Sequence, residues 1–124
     1  MVKYSRQREC ILKNLQGRFD HPTADMIYEC VRLEQPNISL GTVYRNLSFL
    51  VENGQILKIS TGTGPDRFDG CTAPHNHFVC RSCGRVFDMD YVPEDNIIEK
   101  ASDKFEGVIE DYNLQFFGKC SECL

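Results

Sequence analysis

A chain of 124 residues has room for one domain, or two very small ones, and buries only a modest core that a metal crosslink or a second copy would reinforce. The net charge of −4 argues against a surface built throughout for nucleic acid, but the charge is uneven: residues 1–60 carry two more basic than acidic side chains, and residues 61–124 carry six more acidic than basic. No apolar run approaches 18 residues and no signal-peptide pattern is present, so the expectation is a cytoplasmic protein with no membrane partner.

The first three segments read as helices. Ser5 caps a stretch in which Ile11, Leu12 and Leu15 form an apolar stripe, with Cys10 in or near the core. Thr23 caps a second, with Ala24, Ile27, Tyr28 and Val31 inward and Cys30 as a small buried residue. Ser39 caps a third, with Val43, Leu47, Leu50 and Val51 inward and Gly54 as its stop. Thr42, Tyr44, Arg45 and Asn46 fall on its other faces. The last two helices suit a helix-turn-helix, and an ordinary helical hairpin fits the pattern equally well. Two short strands follow, Q-I-L-K-I-S and D-R-F-D, around the turn-rich T-G-T-G-P. A helix-turn-helix with such a hairpin is a winged helix. The fold class expected is therefore α+β: a winged helix-turn-helix over 1–64, a hinge at 65–72, and a small α/β domain over 73–124.

In that second part, residues 75–90 read as strand, knuckle, strand. Residues 91–107 read as a helix, with Pro93 in its first turn and Ile97, Ile98, Ala101 and Phe105 inward. A strand then follows over V-I-E-D-Y-N-L-Q-F-F. An exposed strand edge here is a natural place for a second copy to pair.

The chemistry concentrates between Pro74 and Asp88. Cys80 and Cys83 form a C-x-x-C with Gly84 after it, and Cys120 and Cys123 form another. Seven cysteines in a short chain also suit a secreted disulfide scaffold, but the number is odd and four fall in C-x-x-C pairs, which favours metal. Four thiolates in two pairs are the usual ligands of a tetrahedral structural Zn2+. His75 and His77 alternate on a strand, so their imidazoles share a face, and they call for a second metal with oxygen ligands from elsewhere. His21, from its position alone, reads more simply as a surface loop residue.

Taken together, H-P-T-A-D-M-I-Y, I-S-L-G-T-V-Y-R-N-L, R-F-D, H-N-H-F-V-C-R-S-C-G and C-S-E-C resemble the ferric-uptake-regulator (Fur) superfamily of bacterial metalloregulators, over residues 5–123. The resemblance implies a homodimer with a winged-helix head and a C-terminal dimerisation domain. It implies structural Zn2+ on Cys80, Cys83, Cys120 and Cys123, and a regulatory site of His21, Asp69, His75, His77 and Asp88. The two aspartates look like those of the peroxide-sensing (PerR) branch, since iron-uptake members more often carry glutamates there. That branch implies Fe2+ or Mn2+ in the regulatory site and His21 and His75 as the oxidised residues. Ser39, Thr42, Tyr44 and Arg45 are the DNA contacts implied, on double-stranded DNA with a palindromic operator.

Three departures qualify the likeness. The neighbourhood of Pro74, Asn76, Asp111 and Tyr112 offers no fourth histidine, so two metals per subunit are expected. Relatives often carry more residues before Ser5, which adds DNA contacts. Cys71 lies two residues after Asp69 and reads as a loop thiol, although zinc-sensing relatives recruit a cysteine nearby. The rival classes are a metalloenzyme, for which no dedicated general base is present, and a plain zinc-ribbon module, which leaves the histidines and aspartates idle. A non-enzymatic repressor is expected, with an iron-level regulator as its alternative.

Overall fold

The computed structural model describes residues 5–62, 64–73, 75–90 and 96–124. Thr63, Pro74 and the expected helix start at Pro93 lie outside them. The elements run α1 (Arg6–Leu15), α2 (Ala24–Val31), α3 (Leu40–Glu52), β1 (Leu57–Ile59), β2 (Arg67–Asp69), β3 (Asn76–Cys80), β4 (Val86–Met89), α4 (Ile97–Ser102) and β5 (Gln115–Gly118), closing in a 3-10 turn at Ser121–Cys123.

Each of the first three helices starts at its expected cap. The side chains of Ser5, Thr23 and Ser39 accept the N–H groups of Arg8, Met26 and Thr42, filling donors that the first turn leaves free. Gly54 ends α3 at φ +71°, a left-handed conformation that glycine adopts without a Cβ clash. The apolar faces meet in one core of Ile11, Leu15, Ile27, Val31, Val43, Leu47 and Leu50, with Ile56 and Phe68 from the hairpin. Burying such a side chain contributes about 1.5–3 kcal/mol, which holds helices too short to persist alone.

β1 and β2 pair antiparallel, with Leu57 opposite Asp69. β2 also meets the segment ahead of α2: Phe68 N–H donates to the Pro22 carbonyl at 2.9 Å, and Thr23 bridges Arg67. The second sheet has the order β4-β3-β5, with β4 antiparallel and β5 parallel to β3. Ile59 of β1 packs with Val79 and Val86, so the hairpin rests on this sheet.

Three expectations need correction. Among the described residues α4 covers only Ile97–Ser102; Ala101 and Phe105 are exposed, and Ile97 and Ile98 are only half-buried. A helix is held mainly by burial of its apolar face, and among the described residues this stripe is covered only in part. The last strand is four residues, not ten: Val108 and Tyr112 are exposed outside it. β3 offers a five-residue edge, so pairing stops where that edge stops. Cys30 is exposed rather than buried, on the outer face of α2 beside Arg18 Nη1 at 3.8 Å.

Candidate metal centres

The four C-x-x-C thiols come together because of strand pairing. Cys80 ends β3, and the parallel register sets it opposite Gly118, two residues before Cys120. Gly84, at φ +78°, lets the chain turn after Cys83 and run back as β4. The four Sγ atoms lie within 4.8 Å of one another, and Cys83 and Cys120 Sγ are 3.9 Å apart. A tetrahedral zinc with bonds of about 2.3 Å separates its sulfurs by about 3.8 Å, so the donors fit that ion. The N–H groups of Cys83 and Cys120 both donate to Cys80 Sγ at 3.4 Å, and chiefly for that reason its pKa falls to about 5. Arg85 donates to Cys83 and lowers that thiol too. Cys123, beside Cys120 and Cys80, is pushed up to about 12.

The second cluster joins three separate stretches of chain. His21 precedes α2, Asp69 ends β2, His75 and His77 flank the start of β3, and Asp88 on β4 stands opposite His77. All three histidines present Nε2 to the same point. His21 Nε2 is 2.8 Å from Asp88 Oδ1 and 3.2 Å from Asp69 Oδ2. His75 Nε2 is 2.8 Å from Asp69 Oδ2 and 3.1 Å from Asp88 Oδ1. His77 Nε2 is 3.1 Å and 3.5 Å from the same two oxygens. An octahedral ion with bonds of about 2.1 Å sets adjacent donors about 3 Å apart, so these five fit one ion and leave a sixth position for another group.

The electrostatics agree with that fit. Burial by itself raises the pKa of Asp69, but bonds from His21, His77, the Cys71 N–H and His75 outweigh it and hold the carboxyl far below its usual range. Burial disfavours charge on His21, yet Asp69 and Asp88 leave its pKa raised. The same holds for His75, whose Nδ1 also meets the Ala73 carbonyl at 2.6 Å. His21 is only 2 % exposed, and its Nδ1 is buried with no hydrogen-bond partner. It alone, among the described non-glycine residues, has positive φ (+49°). Such backbone costs on the order of 1–3 kcal/mol and is held by what surrounds it. The surface histidine suggested by position alone is thus a buried, strained member of the cluster.

On α3, Tyr44 and Arg45 are exposed. Arg45 donates to Thr42 Oγ1 at 2.9 Å, and Thr42 Oγ1 lies 2.9 Å from the capping Ser39. Ser39, Thr42 and Arg45 form one hydrogen-bonded patch at the start of the helix. Cys71 is exposed and lies in neither cluster, and Cys10 donates to Glu34 from a half-buried position. Sequence reasoning passed over two arginines. Arg67 stands inside R-F-D and donates to the His21 carbonyl; Arg85 stands two residues after Cys83 and bridges two thiols. Their places next to ligands were the available signals.

A helix-turn-helix with a β-hairpin, set against a small sheet that carries one thiol cluster and one histidine–carboxylate cluster, defines a metal-responsive transcriptional regulator. Residues 1–117 match the ferric uptake regulator family, and the chain belongs to it. It is 34 % identical over 122 residues to the peroxide operon regulator of Bacillus subtilis, covering 98 % of this chain and 84 % of that one. The Helicobacter pylori ferric uptake regulator, whose structure is described as revealing three functional metal-binding sites, superposes with a TM-score of 0.85 at 27 % identity. That match covers 98 % of this chain and 82 % of the other. The Campylobacter jejuni peroxide stress regulator gives 0.76 at 30 % identity, over 94 % and 88 %. No helix among the described residues is long and apolar enough to cross a membrane.

Proposed function

We propose that this protein is a peroxide-responsive repressor in which Cys80, Cys83, Cys120 and Cys123 hold a structural zinc and His21, Asp69, His75, His77 and Asp88 hold Fe(II) or Mn(II). The observation that carries the reading is the convergence of three Nε2 atoms and two carboxylates, drawn from separate stretches between residues 21 and 88, on one point with a position to spare. Bound Fe(II) supplies one-electron reduction of hydrogen peroxide, which Mn(II) does not. His21 and His75 hold their rings where that oxidation occurs, and an oxidised imidazole is a poorer donor.

The ligands divide into two mechanical groups. His21 and Asp69 are joined through the pairing of residues 22–23 with β2, and His75, His77 and Asp88 belong to the β3–β4 hairpin. A metal that binds both groups fixes the winged helix (residues 1–64) relative to the dimerisation domain (73–124). Within the hinge at 65–72, Arg67–Asp69 are tied to β1, so Gly70–Thr72 carry the change of angle. Loss of either His21 or His75 frees the two parts and disfavours the geometry that fits DNA. Ser39, Thr42, Tyr44 and Arg45 meet a palindromic operator twice, once from each subunit of a homodimer. The outer edge of β5, with Phe116 and Phe117 about 40 % exposed, suits the contact between copies. The protein acts in the cytoplasm.

The test is operator binding by zinc-filled protein loaded anaerobically with Fe(II) or Mn(II), before and after a brief peroxide pulse, with peptide mass spectrometry of the same samples. The reading requires the Fe-loaded protein to leave DNA and gain oxygen on His21 or His75, and the Mn-loaded protein to do neither. A second reading, an iron-level regulator without peroxide sensing, draws support from the higher TM-score to the Helicobacter pylori regulator. It predicts that Fe-loaded protein stays on DNA with its histidines unmodified.

A further inference from the structure

We infer that Arg85 shields the four-cysteine zinc site from peroxide by binding sulfur atoms of both C-x-x-C pairs at once. Its Nε lies 3.3 Å from Cys83 Sγ, and its Nη2 lies 3.5 Å from Cys120 Sγ. The same Nη2 donates to Glu122, the residue between the last two cysteines. The face of Phe87 lies 5.4 Å from the guanidinium carbon. Sulfur, carboxylate and ring therefore fix an arginine that is otherwise 41 % exposed. Its rigid fork spans two acceptors, which a lysine ammonium does not do.

The need for such a group follows from charge and access. Four thiolates on one Zn2+ leave the site with a net charge of −2. Cys80 and Cys120 are buried and Cys123 half-buried, but Cys83 is exposed, so an electrophile reaches Cys83 first. Arg85 sits on that sulfur. Attack converts thiolate and hydrogen peroxide to sulfenic acid and hydroxide, with the O–O bond broken and an S–O bond formed. A second thiolate then displaces hydroxide from the sulfenic acid to give a disulfide. Two ligands are lost and the zinc leaves. Donation of N–H bonds and positive charge to sulfur draws down its nucleophilicity and opposes the first step. At the regulatory site, by contrast, Arg67 donates to the His21 backbone carbonyl rather than to a ligand atom, and among the described residues no Lys or Arg forms a salt bridge with Asp69 or Asp88. The two centres are thus built to differ in their response to one oxidant: one is left open to it and the other is covered.

The inference rests on the four cysteines holding zinc, and the experiment separates the two. Zinc per subunit is measured first, in full-length protein whose regulatory site carries Mn(II). Peroxide-driven zinc release is then followed with a chromogenic chelator across peroxide concentrations, alongside thiol alkylation of Cys83. Arg85→Gln is expected to raise the peroxide-dependent rate about tenfold, the low end of what an outer-shell partner contributes. Arg85→Lys should fall between Gln and the parent, and Glu122→Gln, which leaves Arg85 in place but untethered, should give a smaller rise. Release at the parent rate in Arg85→Gln overturns the inference, as does a rise that is equal with and without peroxide, since that marks a purely structural contact. If Arg85→Gln does not fold, parent-like rates in both Arg85→Lys and Glu122→Gln overturn it. Parent protein free of zinc overturns the zinc assignment and the inference with it.

Discussion

Arg67 and His21 are joined across 46 residues of sequence by a hydrogen bond of 3.2 Å from the guanidinium to the backbone carbonyl. The bond secures the one described non-glycine residue with positive φ. It also couples the position of His21 to β2, whose last residue is Asp69. The two candidate ligands nearest the three N-terminal helices are therefore positioned as one unit. Replacing Arg67 by alanine removes a charge-assisted bond of about 1.5–3 kcal/mol. Mn(II) affinity at the regulatory site should fall about tenfold or more while zinc content stays unchanged. Metal titration with parallel zinc analysis checks this, and equal loss of both metals would point to general unfolding instead.

Loss of a ligand should cost more than loss of its support. His77→Ala removes a buried Nε2 that meets Asp69 at 3.1 Å. Its Mn(II) affinity should drop at least about 100-fold, the upper end of outer-shell effects. DNA binding in the presence of Mn(II) should fail, and the structural zinc should remain. Persistent Mn(II)-dependent DNA binding by this variant would falsify the five-donor assignment.

Gly70 predicts a packing effect. A Cβ on it would stand 2.7 Å from the backbone carbonyl oxygen of Leu15, at the end of α1. Neither partner is a flexible side-chain end, so the strand end after Asp69 must move away from the helix. Gly70→Ala should cost about 1–3 kcal/mol of stability and weaken regulatory-metal binding as Asp69 shifts. Gly64→Ala, with nothing within 4 Å, is the control and should melt like the parent. Urea denaturation of both variants reads the difference.

The raised pKa values of His21 and His75 set a pH dependence. In metal-free protein, the stability gained from their protonated rings facing Asp69 and Asp88 is complete below the ordinary histidine value of about 6.5. It is lost as pH rises through the raised folded values. The depressed Asp69 contributes above the ordinary carboxylate value of about 3.9 and keeps doing so until pH falls well below it, so it is constant near neutrality. A metal must displace the imidazole protons. Apparent Mn(II) affinity should therefore rise between about pH 6 and 8, by up to about tenfold per unit for each proton displaced. Calorimetric titration at three pH values in that window, in buffers of different protonation enthalpy, counts those protons; a flat affinity with no proton release would sink the assignment.

On α3, Arg45→Ala should weaken operator binding and reduce the salt slope by about 1 if Arg45 meets a phosphate, or relax one base position if it meets a guanine edge. Fluorescence anisotropy across salt concentrations and single-base operator variants distinguishes the two contacts. Unchanged affinity in both series would remove Arg45 from the interface.

The local features were legible in the chain itself. Ser5, Thr23 and Ser39 cap helices because a short side-chain oxygen satisfies free N–H groups within the same turn, an effect that spans three residues. The C-x-x-C pairs, and the alternation of His75 and His77, speak for ligands because spacing and strand period fix direction locally. The membership of His21 and Asp69 in the second cluster came from the motifs they sit in, since nothing in their own surroundings in sequence points to a metal. What the tertiary structure alone decided is how far the regular elements extend and what lies over the ligands. The helix expected at 91–107 covers six residues among those described, with Ala101 and Phe105 of its apolar stripe exposed. β5 is cut to the length of β3's edge. Arg67 and Arg85 took their roles from pairings that bring together residues 46 and 35 apart, and the left-handed backbone of His21 is held by contacts from β2. Sequence specifies interactions that close over a turn or a strand period; partners that meet only after the chain has folded back are chosen by topology.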